Sequence, residues 1–347
     1  MPSKRISSID LLRSISIIIM IIANSSPYLL LTPHSILLRL FCSIAAPLFI
    51  FLSGLSFYIS FKNKVNYLHK ISRAFYLVIS AVVVDVFIWQ IVPFQTFDVL
   101  YLISFGILIN VLIFRFNYKI KLVLAVFFLL GSFIIQNKVG YRMINNDPLI
   151  GNFAWQNINL FNFFEFKRFF IDGWFPVFPW VGVAILGQVL SEKLDFFHRN
   201  ISIIKFASLI LAFLFCLLVV LYDSNIAERD GYLELFYPSS ISFIFFELFA
   251  IFFLVAQFLK LEISDNSKFS FLKIMGRKSL LIYIYHAFII SFVFDKYFIP
   301  LQSVFFMVII FIFLVSCFGV AYLADIVEKK NILTWMPKAV KTILGII

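Results

Sequence analysis

Charge is scarce in this sequence. Asp, Glu, Lys and Arg make up only 14% of its 347 residues, where an ordinary soluble domain carries about 25%. With 62% hydrophobic residues and a mean hydropathy of +1.01, the chain cannot cover itself with polar surface, which excludes a soluble globular protein. Cysteine is sparse as well. Cys42, Cys216 and Cys317 each sit inside an apolar run, where a thiol reads as a small buried hydrophobe, so no disulfide framework is expected. Short-range apolar–polar alternation, which a membrane β-barrel needs in segments of about 10 residues, is missing too. Also absent are HExxH, CxxC, GxSxG and the P-loop. The four histidines, His34, His69, His198 and His286, are scattered, so no metal site, zinc hydrolase or nucleotidase is expected.

What the chain has is long apolar runs. A helix needs roughly 20 apolar residues to cross a bilayer, and helices satisfy their own backbone there. Ten spans are expected, at 9–31, 36–60, 73–93, 97–114, 119–136, 174–191, 201–222, 238–260, 274–294 and 299–324. The fold class is therefore all-α: a polytopic integral membrane helical bundle of about ten transmembrane helices. The first span is too long for a cleaved signal peptide. Basic residues concentrate in alternate loops and at both ends, for instance Lys62, Lys70 and Arg73, then Lys193, Arg199 and Lys205, then Lys329, Lys330, Lys338 and Lys341. The intervening short loops 32–35 and 94–96 have none. By the positive-inside rule, both termini face the cytoplasm. The same rule accounts for the net charge of +11 without invoking nucleic acid. Two outer loops, 137–173 and 223–237, are longer than packing requires and read as functional. With no linker or internal repeat, residues 1–347 read as a single transmembrane domain, whose tail ends in a short interfacial helix. Forty-eight Phe with abundant Ile and Lys fit an AT-rich coding sequence, hence a bacterial cytoplasmic (inner) membrane.

Polar side chains inside spans are costly and are candidate sites by default. In ANSSPYLLLTPH, from Ala23 to His34, an amide closes the first span and an imidazole opens the second. Asn24 can orient a ligand through its amide, and His34 can take a proton near neutral pH. Structural capping and an ordinary interfacial histidine remain the alternatives. Asp10 and Arg13 lie three apart on one helix face, either as a structural ion pair or with Arg13 available to a phosphate. Asp85 and Glu247 sit mid-span and are expected to face the interior. Pro176 and Pro179 flank a helix start, with Trp180 beside them. His286 lies in the ninth span, about ten residues after Arg277 and Lys278, as a packing residue or a site residue.

Several of these stretches resemble one family. RISSIDLLRSISIIIMIIAN, from Arg5 to Asn24, is similar to the opening of heparan-alpha-glucosaminide N-acetyltransferase-like membrane acyltransferases, with Ser14 where glycine is usual. APLFIFLSG, FPVFPWVGVAILG and GRKSLLIYIYHAF resemble later segments of the same family. The related acyltransferase-3 family ends its first helix in His, so Asn24 favours the first. The resemblance implies transfer of an acetyl group from cytoplasmic acetyl-CoA to an amine or hydroxyl of a sugar or glycan at the outer side. It implies His34 as general base, Asn24 on the thioester carbonyl or the acceptor, and Arg13, Arg277 and Lys278 as partners for the phosphates of CoA. Asp10, Asp85, Trp180 and His286 are further candidates, and a homodimer is compatible with the apolar surface. Two other readings compete: a transporter or flippase of a lipid-linked sugar or small solute, for which Asp85, Glu247 and the broken sixth helix are suited, and a non-catalytic scaffold, which leaves Asn24, His34 and Arg13 unexplained.

Overall fold

The computed structural model describes residues 6–62, 66–141, 166–222, 234–235, 239–261 and 270–346. Its helices, in chain order, begin with α1 (Ser7–Leu29), α2 (Ile36–Ser43), α3 (Ala45–Lys62) and α4 (Tyr67–Val83), then α5 (Val99–Leu112) and α6 (Tyr118–Val139). They continue with α7 (Val177–Glu192), α8 (Leu194–Arg199), α9 (Ile201–Tyr222) and α10 (Ile241–Leu261). The last are α11 (Ser270–Arg277), α12 (Ser279–Ile289), α13 (Asp295–Tyr297), α14 (Ser303–Lys329) and α15 (Lys338–Ile343). Among the described residues, π-helical turns interrupt the series at Val84–Trp89, Arg168–Asp172 and Ile290–Phe294. Short polar side chains start several helices by bonding an amide of the first turn: Asn66 to Leu68, Asp98 to Val99, Asn117 to Lys119.

The protein is an all-α, multi-pass membrane protein. Eight helical segments among the described residues are long and apolar enough to cross a bilayer, and Val99–Leu112 and Val177–Glu192 are shorter apolar helices. Those two correspond to the expected spans 97–114 and 174–191. Asp98 and Pro176 fix where they start, which trims each below full span length. The expected span 36–60 breaks at Ile44 into α2 and α3. Most of the expected outer loops 137–173 and 223–237 lies outside the described residues.

By packing, the chain falls into two compact units: one of residues 1–4, 47–228 and 236–256, the other of 5–46, 229–235 and 257–347. In the first, α4 packs on α5, and α7 packs on both α5 and α6. Two backbone bonds strap the starts of α5 and α7 side by side, Trp174 N–H to Thr96 O at 2.8 Å and Phe175 N–H to Phe97 O at 3.1 Å. Gly187 in α7 lies so close to α3 that a Cβ there would overlap the Phe51 carbonyl. At the other end of α6 the buried Lys121 pairs with Glu192 and donates to the Phe114 carbonyl at 2.9 Å.

In the second unit α1 packs against α2, α11, α12 and α14. Gly276 in α11 meets the Asp10 carbonyl of α1 with no room for a Cβ. Ser14 donates to the Asp10 carbonyl at 2.9 Å and also reaches the Leu272 carbonyl. The far end of α1 is tied to the segment before α14, with Leu301 N–H on Leu29 O at 2.8 Å and Leu31 N–H on Leu301 O at 3.1 Å. Cys42 and Cys317 are buried as expected, but Cys216 is exposed. It lies on α9, an apolar helix whose neighbours Phe213 and Val220 also point outward.

Candidate active site

The second unit carries the polar groups that the sequence singles out near α1. Asn24, eleven residues beyond Arg13, stands about 16 Å further along the helix at 1.5 Å per residue. Its Nδ2 amide donates to His286 Nε2 at 3.0 Å. His286 is 1% exposed, and its ring lies edge-on to Tyr283, centroids 5.1 Å apart. A donor on Nε2 places the imidazole proton on Nδ1, so the ring is a neutral acceptor toward Asn24. The amide keeps its second N–H and its carbonyl oxygen for other partners.

His34 lies in the turn between α1 and α2, and there its Nε2 bonds the Leu30 carbonyl at 3.4 Å. Nε2 must be the protonated nitrogen in that bond, which leaves Nδ1 with its lone pair. Partial burial holds the His34 pKa below its ordinary value, and the nearby charge of Arg39 acts in the same direction, while the Leu30 carbonyl opposes both. A neutral imidazole in this setting can accept a proton at physiological pH. The imidazole in contact with Asn24 is thus that of His286, while His34 engages Leu30 at the end of α1, six residues beyond the amide.

The cation candidates gather at the other end of the same unit. Arg13 pairs with Asp10 at 3.2 Å. Arg277 pairs with Asp325 at 3.1 Å, and Asp325 also takes Lys329 at 2.6 Å. Lys278 is 3% exposed and binds Glu328 and the carbonyl of Ile346. Among the described residues Arg13, Arg277, Lys278 and Lys329 meet the carboxylates of Asp10, Asp325 and Glu328 here, and the Arg277 side chain is partly exposed. Lys278 begins α12, and His286 lies eight residues, about 12 Å, further along that helix. Sequence spacing gave no sign of Asp325, Glu328 or the tail, which reach this cluster only through α14 and α15.

The remaining candidates belong to the first unit. Asp85 occupies the π-turn after α4, is 1% exposed, and accepts from the Tyr101 hydroxyl at 2.6 Å. Trp180 is buried beside Phe175, ring centroids 5.6 Å apart. Glu247 is fully buried, as its apolar neighbours predict.

The second unit thus holds a part-buried amide–imidazole pair at one level and a cation cluster at another. The chain belongs to the heparan-alpha-glucosaminide N-acetyltransferase catalytic family, whose family model matches residues 5–218. It is accordingly a membrane acetyltransferase. The match takes in Arg13, Asn24, His34 and Asp85 and ends before Arg277, Lys278 and His286. No curated protein matched the chain.

Proposed function

We propose that the protein moves an acetyl group from cytoplasmic acetyl-CoA to an amine or hydroxyl of a sugar or glycan at the outer side of a bacterial cytoplasmic membrane. The observation that carries this reading is the 3.0 Å bond between Asn24 and His286. Two polar side chains that are expensive in an apolar helix unit are held together, and one amide N–H is left over. That N–H can donate to the thioester carbonyl as negative charge builds on its oxygen, and a preorganised donor of this kind is worth about 10²–10³-fold in rate. His286 acts as a positioning residue that fixes the plane of the amide. His34 Nδ1 takes the proton from the acceptor while the new C–N or C–O bond forms and the C–S bond breaks.

The phosphates of CoA would be held by Arg13, Arg277 and Lys278. The fit is supported by the gathering of these cations and by the partial exposure of the Arg277 side chain. A phosphate binding there exchanges carboxylate partners for phosphate oxygens, in which guanidinium geometry is favourable. The axial distance of roughly 12–16 Å between this cluster and the amide leaves room for an extended pantetheine arm.

The test is turnover of acetyl-CoA by the purified protein beside Asn24→Ala, His34→Ala and His286→Ala. The wild type is expected to release CoA in the presence of a sugar acceptor. Each variant is expected to bind acetyl-CoA but lose about 10²-fold or more in turnover. Absence of acetyl-CoA binding by the folded wild type overturns the reading.

A further inference from the structure

Lys278 is the most deeply buried of the cations Arg13, Arg277, Lys278 and Lys329, and part of its cover is the tail of the chain. Its ammonium donates to the Glu328 carboxylate at the end of α14 and to the Ile346 carbonyl beyond α15. An ammonium has three donors. At least two are taken here, on a side chain only 4% exposed. A phosphate cannot reach this cation until what covers it moves.

The segment that carries Ile346 is set between two left-handed residues. Asn331, with φ of 52°, follows α14, and Gly345, with φ of 69°, follows α15. Each closes its helix in the same way. Ile332 N–H bonds the Val327 carbonyl at 3.1 Å, and Ile346 N–H bonds the Lys341 carbonyl at 2.9 Å, the six-to-one bond of a Schellman cap. The first cap turns the chain out of α14. The second places the Ile346 carbonyl on Lys278. Gly345 makes that approach possible, because a Cβ there would overlap the backbone of Leu280 and Leu281 in α12. Between the caps, Ile332, Trp335 and Val340 are exposed, so the middle of the segment grips the rest of the protein little. The six residues of α15 are too few to hold a helix alone in water, so its order depends on being seated.

We propose that residues 331–346 are a displaceable strap, which occupies Lys278 in the empty enzyme and is lifted when the phosphates of the acyl donor bind. The inference rests on the reading of Arg13, Arg277 and Lys278 as the phosphate-binding cations. Phosphate oxygens and the Ile346 carbonyl compete for the same N–H donors, so strap and donor exclude each other at this residue. The apparent affinity for CoA is then reduced to the fraction of molecules whose strap is open. By linkage, CoA opens the strap as strongly as the strap opposes CoA.

Hydrogen exchange of the purified full chain, read by mass spectrometry over residues 338–346, reports whether the strap is seated. CoA is the probe, and pantetheine, which lacks its phosphates, is the control. Exchange in this segment is expected to speed up severalfold with saturating CoA and to stay unchanged with pantetheine. Gly345→Val alters no charge and touches none of the phosphate-binding residues. It is expected to exchange fast without ligand and to bind CoA about tenfold more tightly, the worth of one hydrogen bond to a charged group, with unchanged thermal unfolding. If CoA binds the wild type but leaves exchange at 338–346 unchanged, if pantetheine speeds it equally, or if folded Gly345→Val binds CoA no better, the strap is overturned while the phosphate site stands. If the folded wild type binds no CoA at all, the phosphate site falls and the strap falls with it.

Discussion

The His34 imidazole separates a proton-accepting role from a packing role through its titration. Its pKa lies below the ordinary 6.5 because partial burial and Arg39 disfavour the charged ring. The neutral, base-competent form therefore persists to lower pH than in a free histidine. The decline of acetyl transfer on acidification is expected to have its midpoint below pH 6.5. In Arg39→Gln the decline moves to higher pH, because one of the two effects that depress the pKa is removed. A pH profile of kcat/KM for the two proteins checks both statements. At this scale the sequence singled out Asn24 and His34 as candidates from their cost inside or beside an apolar helix. It could not supply the partner of Asn24, because His286 is 262 positions away and no local spacing encodes a contact between two helices that distant in the chain. The carboxylates that occupy Arg277 and Lys278 were hidden for the same reason.

Helix-to-helix distance within each unit is set by a few residues without side chains. Gly187 brings α7 against the α3 backbone, so a methyl group there overlaps the Phe51 carbonyl rather than a side chain that can turn away. Gly187→Ala is expected to destabilise the protein by about 1–3 kcal/mol, the usual cost of overpacking. Gly319 in α14 has open space around its would-be Cβ. Gly319→Ala is expected to be neutral or to stabilise by about 0.5–1 kcal/mol through helix propensity. Thermal unfolding of the two variants in the same detergent checks the contrast. Most helices were legible as elements: α1, expected at 9–31, runs Ser7–Leu29, and α9, expected at 201–222, runs Ile201–Tyr222. Asn66, Asp98 and Asn117 cap α4, α5 and α6, which start at Tyr67, Val99 and Tyr118 where the expected spans start at 73, 97 and 119. The π-turns were not legible. VVVDVFIW read as continuing helix within the expected span 73–93, and RFFID fell in the expected outer loop 137–173, because a π-turn adds one residue per turn without any residue type that demands it.

Across the whole molecule, low charge and long apolar runs decided the class before any motif was considered. Alternation of basic loops predicts an orientation, with both termini and the loops rich in Lys and Arg inside. That orientation is testable with one introduced thiol at a time. Ser35→Cys is expected to react with a membrane-impermeant maleimide in intact cells, and Lys338→Cys only after the membrane is broken. The reverse pattern overturns the orientation, and with it the direction proposed for acetyl transfer. What composition could not give is the partition into two compact units, since the boundary at residues 46–47 falls inside α3 and no linker marks it.

Cys216 offers an experimental handle that needs no engineering. Of the three thiols it alone is exposed, on a helix whose outward side chains are apolar. A lipid-soluble nitroxide maleimide should therefore attach at one position per chain and leave Cys42 and Cys317 untouched. Dipolar coupling between two such labels would then report directly whether copies of this protein sit side by side in a bilayer, and how far apart.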